Sequence, residues 1–322
     1  MIRTRTLIAT IAAAMALAVP QSPMAVADTA DPVESLADQV AAAIETSEPV
    51  ISPTRGGADL VAESANGSAQ VALALDAEEI SLTDLKSGTS VAIGLPVEAE
   101  VERPAVAQDG TVIYQESGEG GVDIAAQVIA DGSIRVQTII SDRTSPHEFS
   151  YPLTLPAGTI LELTDDGGVL ASDAHGGFVA GVRPPWAKDS QGNDVATAYR
   201  IEGNTIVQTV AESDARVYPV VADPWLGIDL IEKVTRVWDS AKKGYRYSVF
   251  PTWWGRVGAS RLARGDAWSE TKKKGVPQTS TLENQFLCHY DNRVLVAFKG
   301  SWNLEAYTKD RGYWGFMANL CN

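Results

Sequence analysis

The chain has 322 residues, with 26 basic and 41 acidic side chains, a formal net charge of −15, and length for about two domains. Two cysteines and three histidines leave too few ligands to support a zinc centre. No apolar run beyond the first twenty residues is long enough to anchor the chain in a membrane.

Arg3 and Arg5 precede an apolar run, Leu7–Val19, that Pro20 breaks, and Ala25-Val26-Ala27 supplies small residues before Asp28. The pattern predicts a cleavable signal peptide over 1–27, shorter than the roughly 20 residues of a permanent span. No cysteine follows the run to take a lipid, so the expected location is secreted and extracellular. From Asp31-Pro32 onward, Val33, Leu36, Val40 and Ile44 recur at helical spacing. Pro49, Pro53 and Gly56-Gly57 end that helix, and residues 28–62 are expected to form a flexible acidic leader.

Residues 63–225 change to a period of two. Strands are predicted at Gln70–Leu75, Ser90–Leu95, Thr111–Gln115, Gly121–Ile129, Ser133–Ile140 and His147–Leu153. They continue at Thr159–Leu163, Gly168–Ala171, Phe178–Val182, Thr197–Ile201, Thr205–Val210 and Arg216–Val221. Turn pairs such as Asp109-Gly110, Asp131-Gly132 and Gly203-Asn204 separate them. Many short strands at this spacing predict a mainly antiparallel, sandwich-like module.

Residues 226–322 read as a small α+β domain. Leu230, Ile231, Val234, Val237 and Trp238 predict a helix that Gly244 stops, and Tyr245–Phe250 alternates like a strand. Arg256–Lys274 reads as partly helical. Ser280 with Glu283 fits a capping box opening a helix through Cys288; Val294–Phe298 is expected as a strand and Tyr313–Cys321 as a last helix or turn. Two cysteines in an oxidising exterior read as one disulfide, with free thiols or metal ligation as the alternatives.

The two halves differ in charge. Residues 28–225 hold 9 basic and 32 acidic side chains, whereas 226–322 hold 15 basic and 9 acidic, with six of the eight tryptophans. Such a balance bears on association and partner choice. Trp253, Trp254, Trp268 and Trp302 with Arg256, Arg261 and Arg264 are the candidate binding residues, a cation-and-aromatic set that suits an anionic envelope polymer or membrane surface. The alternative is that the tryptophans fill a small core. Ser240-Ala241-Lys242-Lys243 matches an S-x-x-K pattern, but Lys299-Gly300-Ser301 has the wrong order for its partner motif. His289 adjoins Cys288, and a Cys–His pair needs a free thiolate. Glu283, His289 and Glu305 remain as catalytic candidates, the two glutamates as a carboxylate pair for glycoside cleavage.

Pro184-Pro185-Trp186-Ala187-Lys188-Asp189, Tyr199-Arg200-Ile201-Glu202-Gly203-Asn204 and Tyr218-Pro219-Val220-Val221-Ala222-Asp223-Pro224-Trp225 resemble a β-rich module of secreted actinobacterial proteins. That module precedes variable C-terminal domains, including those of large repeat-containing toxins. Pro251-Thr252-Trp253-Trp254-Gly255-Arg256, Glu283-Asn284-Gln285-Phe286-Leu287-Cys288-His289, Ser301-Trp302-Asn303-Leu304-Glu305, Gly312-Tyr313 and Cys321-Asn322 resemble a family of unknown function in such proteins. The second resemblance implies a Cys288–Cys321 bridge and export, and no activity. Ala306-Tyr307-Thr308-Lys309 replaces a proline-containing stretch that follows Asn-Leu-Glu in that family.

The first functional expectation is an interbacterial toxin or bacteriocin-like effector, with the basic tail held by its acidic carrier until salt or proteolysis frees it. The alternatives are a non-enzymatic cell-envelope or wall-binding protein and an envelope hydrolase. The expected partners are an anionic envelope polymer or membrane surface and an immunity protein. No cofactor, metal or nucleic acid is expected.

Overall fold

The computed structural model describes residues 31–44, 48–76, 79–118, 120–212, 217–258, 263–295 and 299–321. The signal peptide expected over 1–27 lies outside them. Two large antiparallel sheets face each other. The first runs, in spatial order, through Thr54–Gly56, Asp59–Glu63, Ala69–Ala74, Glu79–Asp84, Ser90–Gly94, Glu148–Thr154, Thr205–Val210 and Thr197–Glu202. The second runs through Ile160–Leu163, Val169–Ser172, Phe178–Val182, Trp225–Gly227, Ile134–Ile140, Val122–Val128, Val112–Tyr114 and Ala105–Val106, with Val220–Ala222 and Ala187–Asp189 added beside Ile134–Ile140.

Alternation builds the first sheet. In Ala69–Ala74 every second residue is buried, and Val71 and Leu73 meet Ile80 and Leu82 from the next strand. Their partners across the core are Ile124, Ala126, Val128, Ile134 and Val136 of the second sheet, so the expected sandwich is present. In Ile134–Ile140 all seven residues are buried. Ile134 and Val136 point into the sandwich, so Arg135, Gln137 and Ile139 project from the other face, and that outer face is itself covered.

One cover is helix α1, Pro32–Ala43, whose start is capped by Asp31 accepting the Val33 N–H at 3.0 Å. Ala37, Val40 and Ala43 are buried against Ile113, Ala125, Ile139 and Val221. The expected helix is therefore a seated element rather than a free leader, because its small residues let it lie close to the sheet.

The other cover is the C-terminal region. A third sheet, Ile231–Asp239, Gly244–Pro251 and Trp302–Glu305, packs with α2 (Arg264–Lys273), α3 (Ser280–Asp291) and α4 (Gly312–Ala318). A π-helical turn covers Trp254–Gly258. The helix expected over Leu230–Trp238 is a strand. Ile231, Val234, Thr235 and Val237 are β-branched and suit a strand, which pairs with Gly244–Pro251, while the Leu230 and Ile231 N–H groups are donated to the Glu270 carboxyl group, both at 2.9 Å. The cap of α3 is Thr279, which accepts the Leu282 N–H at 3.3 Å, one residue before the expected Ser280. Val294 and Leu295 form a turn where a strand was expected, and 296–298 lie outside the described residues. Cys288 on α3 is bonded to Cys321 after α4.

Candidate functional site

The C-terminal region exposes Trp314 on α4 and, on a separate surface, a cluster that joins rings to basic side chains. Ile231–Asp239 and Gly244–Pro251 form a long hairpin whose register pairs Trp238 with Tyr245, Val237 with Arg246 and Arg236 with Tyr247. At its base Tyr247 and Val249 enter the second core beside Leu304. Toward its tip the support thins, because Trp302–Glu305 pairs with Arg246–Val249 and beyond it the Ala306 N–H donates to the Tyr245 carbonyl at 3.0 Å. Val237, Trp238 and Tyr245 are consequently 55%, 52% and 38% exposed. The Trp238 and Tyr245 rings meet edge to face at 4.9 Å, and the Arg236 guanidinium lies 5.3 Å from the Tyr245 centroid. Lys242, Lys243 and Arg246 are exposed around them. The tip joins apolar rings to positive charge with one acid, Asp239, which accepts the Ala241 and Lys242 N–H groups of its own turn.

The residues singled out from the sequence lie mostly elsewhere. Trp254, Trp268 and Trp302 are buried, Phe286 packing against the latter two, so as core residues they offer no ring face to a ligand. Arg256 is half-buried and donates to the Lys299 and Gly300 carbonyls; burial lowers its pKa. Arg264 faces Asp291 at 3.3 Å, and Arg261 lies outside the described residues. The His289 ring is buried over Trp302 with Nε2 3.2 Å from the Asn303 carbonyl. Burial pushes its pKa down to about 4, so the ring is neutral at pH 7. Beside it Cys288 is locked in the disulfide, which removes the Cys–His pair. Glu305 accepts the Thr308 hydroxyl at 2.9 Å, while Glu283 is half-buried on α3; neither lines any of the cavities described below.

The cleft that sequence reading missed lies on the outer face of the second sheet. Trp225 pairs across strands with Arg135 on one side, and the Arg183 N–H donates to the Trp225 carbonyl at 3.1 Å on the other. Neighbouring strands are about 4.8 Å apart, so one row reads Arg183, Trp225, Arg135. The guanidinium groups lie 3.2 and 3.9 Å from the indole centroid. Glu48 reaches over them, 3.1 Å from Arg135 and 3.9 Å from Arg183. Between this row, the end of α1 and Trp253 is an open cleft of about 430 Å³. Its far wall is Trp186 and Lys188, the latter 2.9 Å from Asp194. Asp223 accepts the Trp186 N–H at 3.0 Å, and burial pushes its pKa up to about 8. The Pro-Pro-Trp and Ala-Asp-Pro-Trp stretches thus meet here, which was the available signal. A second cavity, of about 400 Å³, lies at the junction with α2 among Asp84, Phe178, Asp266, Glu270 and Lys273. No group of three or more possible metal ligands occurs among the described residues.

Residues 233–322 match the model of a family described as "Protein of unknown function (DUF2599)". The chain ends in a domain of unknown function. That match begins inside the first strand of the hairpin, so the exposed tip belongs to the DUF2599 region. No curated protein matches the chain. Among solved structures, a mutant of glycoside hydrolase family 81 from Clostridium thermocellum is similar over 64% of this chain and 31% of its own, at 9% identity and a TM-score of 0.22. The chain thus spans under a third of that enzyme, and a likeness this slight carries no argument about fold or activity.

Proposed function

We propose that the protein is exported and acts as a bacteriocin-like effector on the anionic envelope of other bacteria, with the DUF2599 region as its acting part and the acidic sandwich as its carrier. The observation that carries this reading is the hairpin tip, where Trp238, Tyr245 and Val237 stand exposed among Arg236, Lys242, Lys243 and Arg246. Indole and phenol rings settle at a lipid headgroup boundary, and each basic side chain near an anionic surface contributes about 1 kcal/mol. Residues 28–225 are strongly acidic, so attraction to an anionic surface favours the C-terminal region. The disulfide suits an oxidising exterior, and no helix among the described residues is long and apolar enough to cross a membrane.

The test adds the full chain to phosphatidylglycerol or phosphatidylcholine vesicles and follows sedimentation and dye release, then applies it to a panel of bacteria. Binding and release are expected with phosphatidylglycerol only, falling with added salt and about tenfold in Trp238→Ala, and growth of a susceptible strain stops. Equal binding to both vesicles, or unimpaired growth of every strain at high dose, overturns the reading. A wall-binding role rests on the same surface and is supported instead if purified anionic wall polymer competes with the vesicles.

A further inference from the structure

The cleft on the outer face of the second sheet is lined by none of the hairpin-tip residues. Its floor is polar and charged, its sides are apolar and aromatic, and its volume falls within the range of small-molecule sites. We propose that it is a binding site for a carboxylate-bearing sugar ring, a uronic acid, whose carboxylate takes the place held by Glu48.

The first support is the charge row. Arg183 and Arg135 lie on either side of one indole, held there by strand register rather than by flexible loops. Two like charges flanking one indole, the Arg183 guanidinium largely buried, favour an anion over them. The Arg183 Nε–H is buried and has no hydrogen-bond partner, so Glu48 leaves this guanidinium incompletely satisfied. Glu48 shows what the floor accepts. Its carboxylate meets Arg135 at 3.1 Å but stands 3.9 Å from Arg183, so the second guanidinium is incompletely met. Burial also raises the pKa of Glu48 despite both arginines, the mark of a carboxylate imperfectly compensated in its seat.

The second support is the wall. Trp186 and Trp253 are each half-buried, leaving part of each indole toward the opening, and Pro184 and Ile44 complete an apolar rim. A pyranose presents a flat C–H face that packs on such rings, while its hydroxyls stay wet at an open mouth. A nucleic-acid strand is disfavoured because Asp194 lines the opening and Glu48 sits over its two arginines, so a phosphate backbone would meet two carboxylates.

A hyaluronan-derived tetrasaccharide, which alternates glucuronate with N-acetylglucosamine, is titrated calorimetrically into the full chain, with neutral chitotetraose and inorganic phosphate as comparisons. The tetrasaccharide alone is expected to bind, weakening as salt rises. Glu48→Gln, which removes the competing charge and keeps the side chain's size, is expected to tighten binding about tenfold, a gain that misfolding cannot produce. Arg183→Ala is expected to abolish binding, with circular dichroism checking that the variant folds. Failure of both the native chain and Glu48→Gln to bind overturns the proposal. So does equal affinity for chitotetraose, or phosphate binding as tight as the tetrasaccharide. None of these readings involves lipid, so the cleft and the envelope contact stand or fall separately.

Discussion

Three buried titratable side chains give the protein a pH dependence whose sign can be worked out. Burial raises Asp223 to about 8 from an ordinary 3.8, and Glu270 to about 8 from 4.5, with Asp229 adding repulsion. Between about pH 4 and 8 the folded chain therefore holds protons that the unfolded chain has released, and stability falls as pH rises through that window. His289 works the other way. Its folded pKa of about 4 lies below the ordinary 6.5, so the unfolded chain gains a proton below pH 6.5 that the buried ring refuses, and stability falls as pH drops from 6.5 to 4. Between pH 6.5 and 8 the two carboxyl groups outweigh His289. Calorimetry at matched ionic strength should give a higher Tm at pH 6.5 than at pH 8, with the difference shrinking in Glu270→Gln. That variant keeps an oxygen for the Leu230 and Ile231 N–H groups while removing the titration. A Tm that rises between pH 6.5 and 8 would contradict the assignment. None of this was legible in the sequence, where Glu270 is one acid beside Lys272-Lys273-Lys274 and nothing marks it as buried.

At the scale of elements, the sequence was most readable where turn residues, such as Gly176-Gly177 and Gly203-Asn204, bracket a short β-rich run. Phe178–Val182 and Thr205–Val210 were anticipated to the residue, and the sandwich followed from their repetition. Reading failed where tertiary contacts override the pattern. Ile231, Val234 and Val237 satisfy helical spacing and β propensity alike, and pairing with Gly244–Pro251 decided between them. The cleft was hidden for a related reason, since Arg135 and Arg183 sit more than forty residues from each other and meet only through register. A pair of glycines shows the same dependence. Gly181 and Gly227 face each other across two strands, and the indole of Trp254 lies over both so closely that a methyl group on either would enter the ring. Gly227→Ala should therefore destabilise the chain by about 1–3 kcal/mol, as overpacking does. Gly265→Ala, on α2 with no atom near its added methyl group, should be neutral or stabilising by up to about 1 kcal/mol. Urea titration of the two variants distinguishes a specific slot for Trp254 from a general intolerance of added side chains.

At the scale of the molecule, the charge division suggested a basic tail held to an acidic carrier by Coulomb attraction, a hold that salt would loosen. The contacts are of another kind. Trp254 enters the glycine slot, and Trp225 and Ile129 share a core with Tyr247, Trp268 and Phe286. The Phe178 N–H donates to Asp266 at 3.1 Å, the Ser68 hydroxyl to Asp229 at 2.6 Å, and Asn66 to the Glu232 carbonyl. Of the nearby cations, Lys274 pairs with Asp229 inside the same C-terminal region, at 3.2 Å, and Lys273 adds an attraction to Asp84 of the sandwich. Apolar and hydrogen-bonded contacts are little screened by salt, whereas exposed charge pairs are. Residues 48–321 should accordingly unfold in one transition, with tryptophan fluorescence and far-ultraviolet circular dichroism coinciding at both 0.05 and 0.5 M sodium chloride. Separate transitions that diverge further at high salt would mean that charge is the adhesive after all. If the transitions coincide, the proposed effector would act while still seated on the sandwich, through a surface that the seat leaves open, such as the hairpin tip with Trp238.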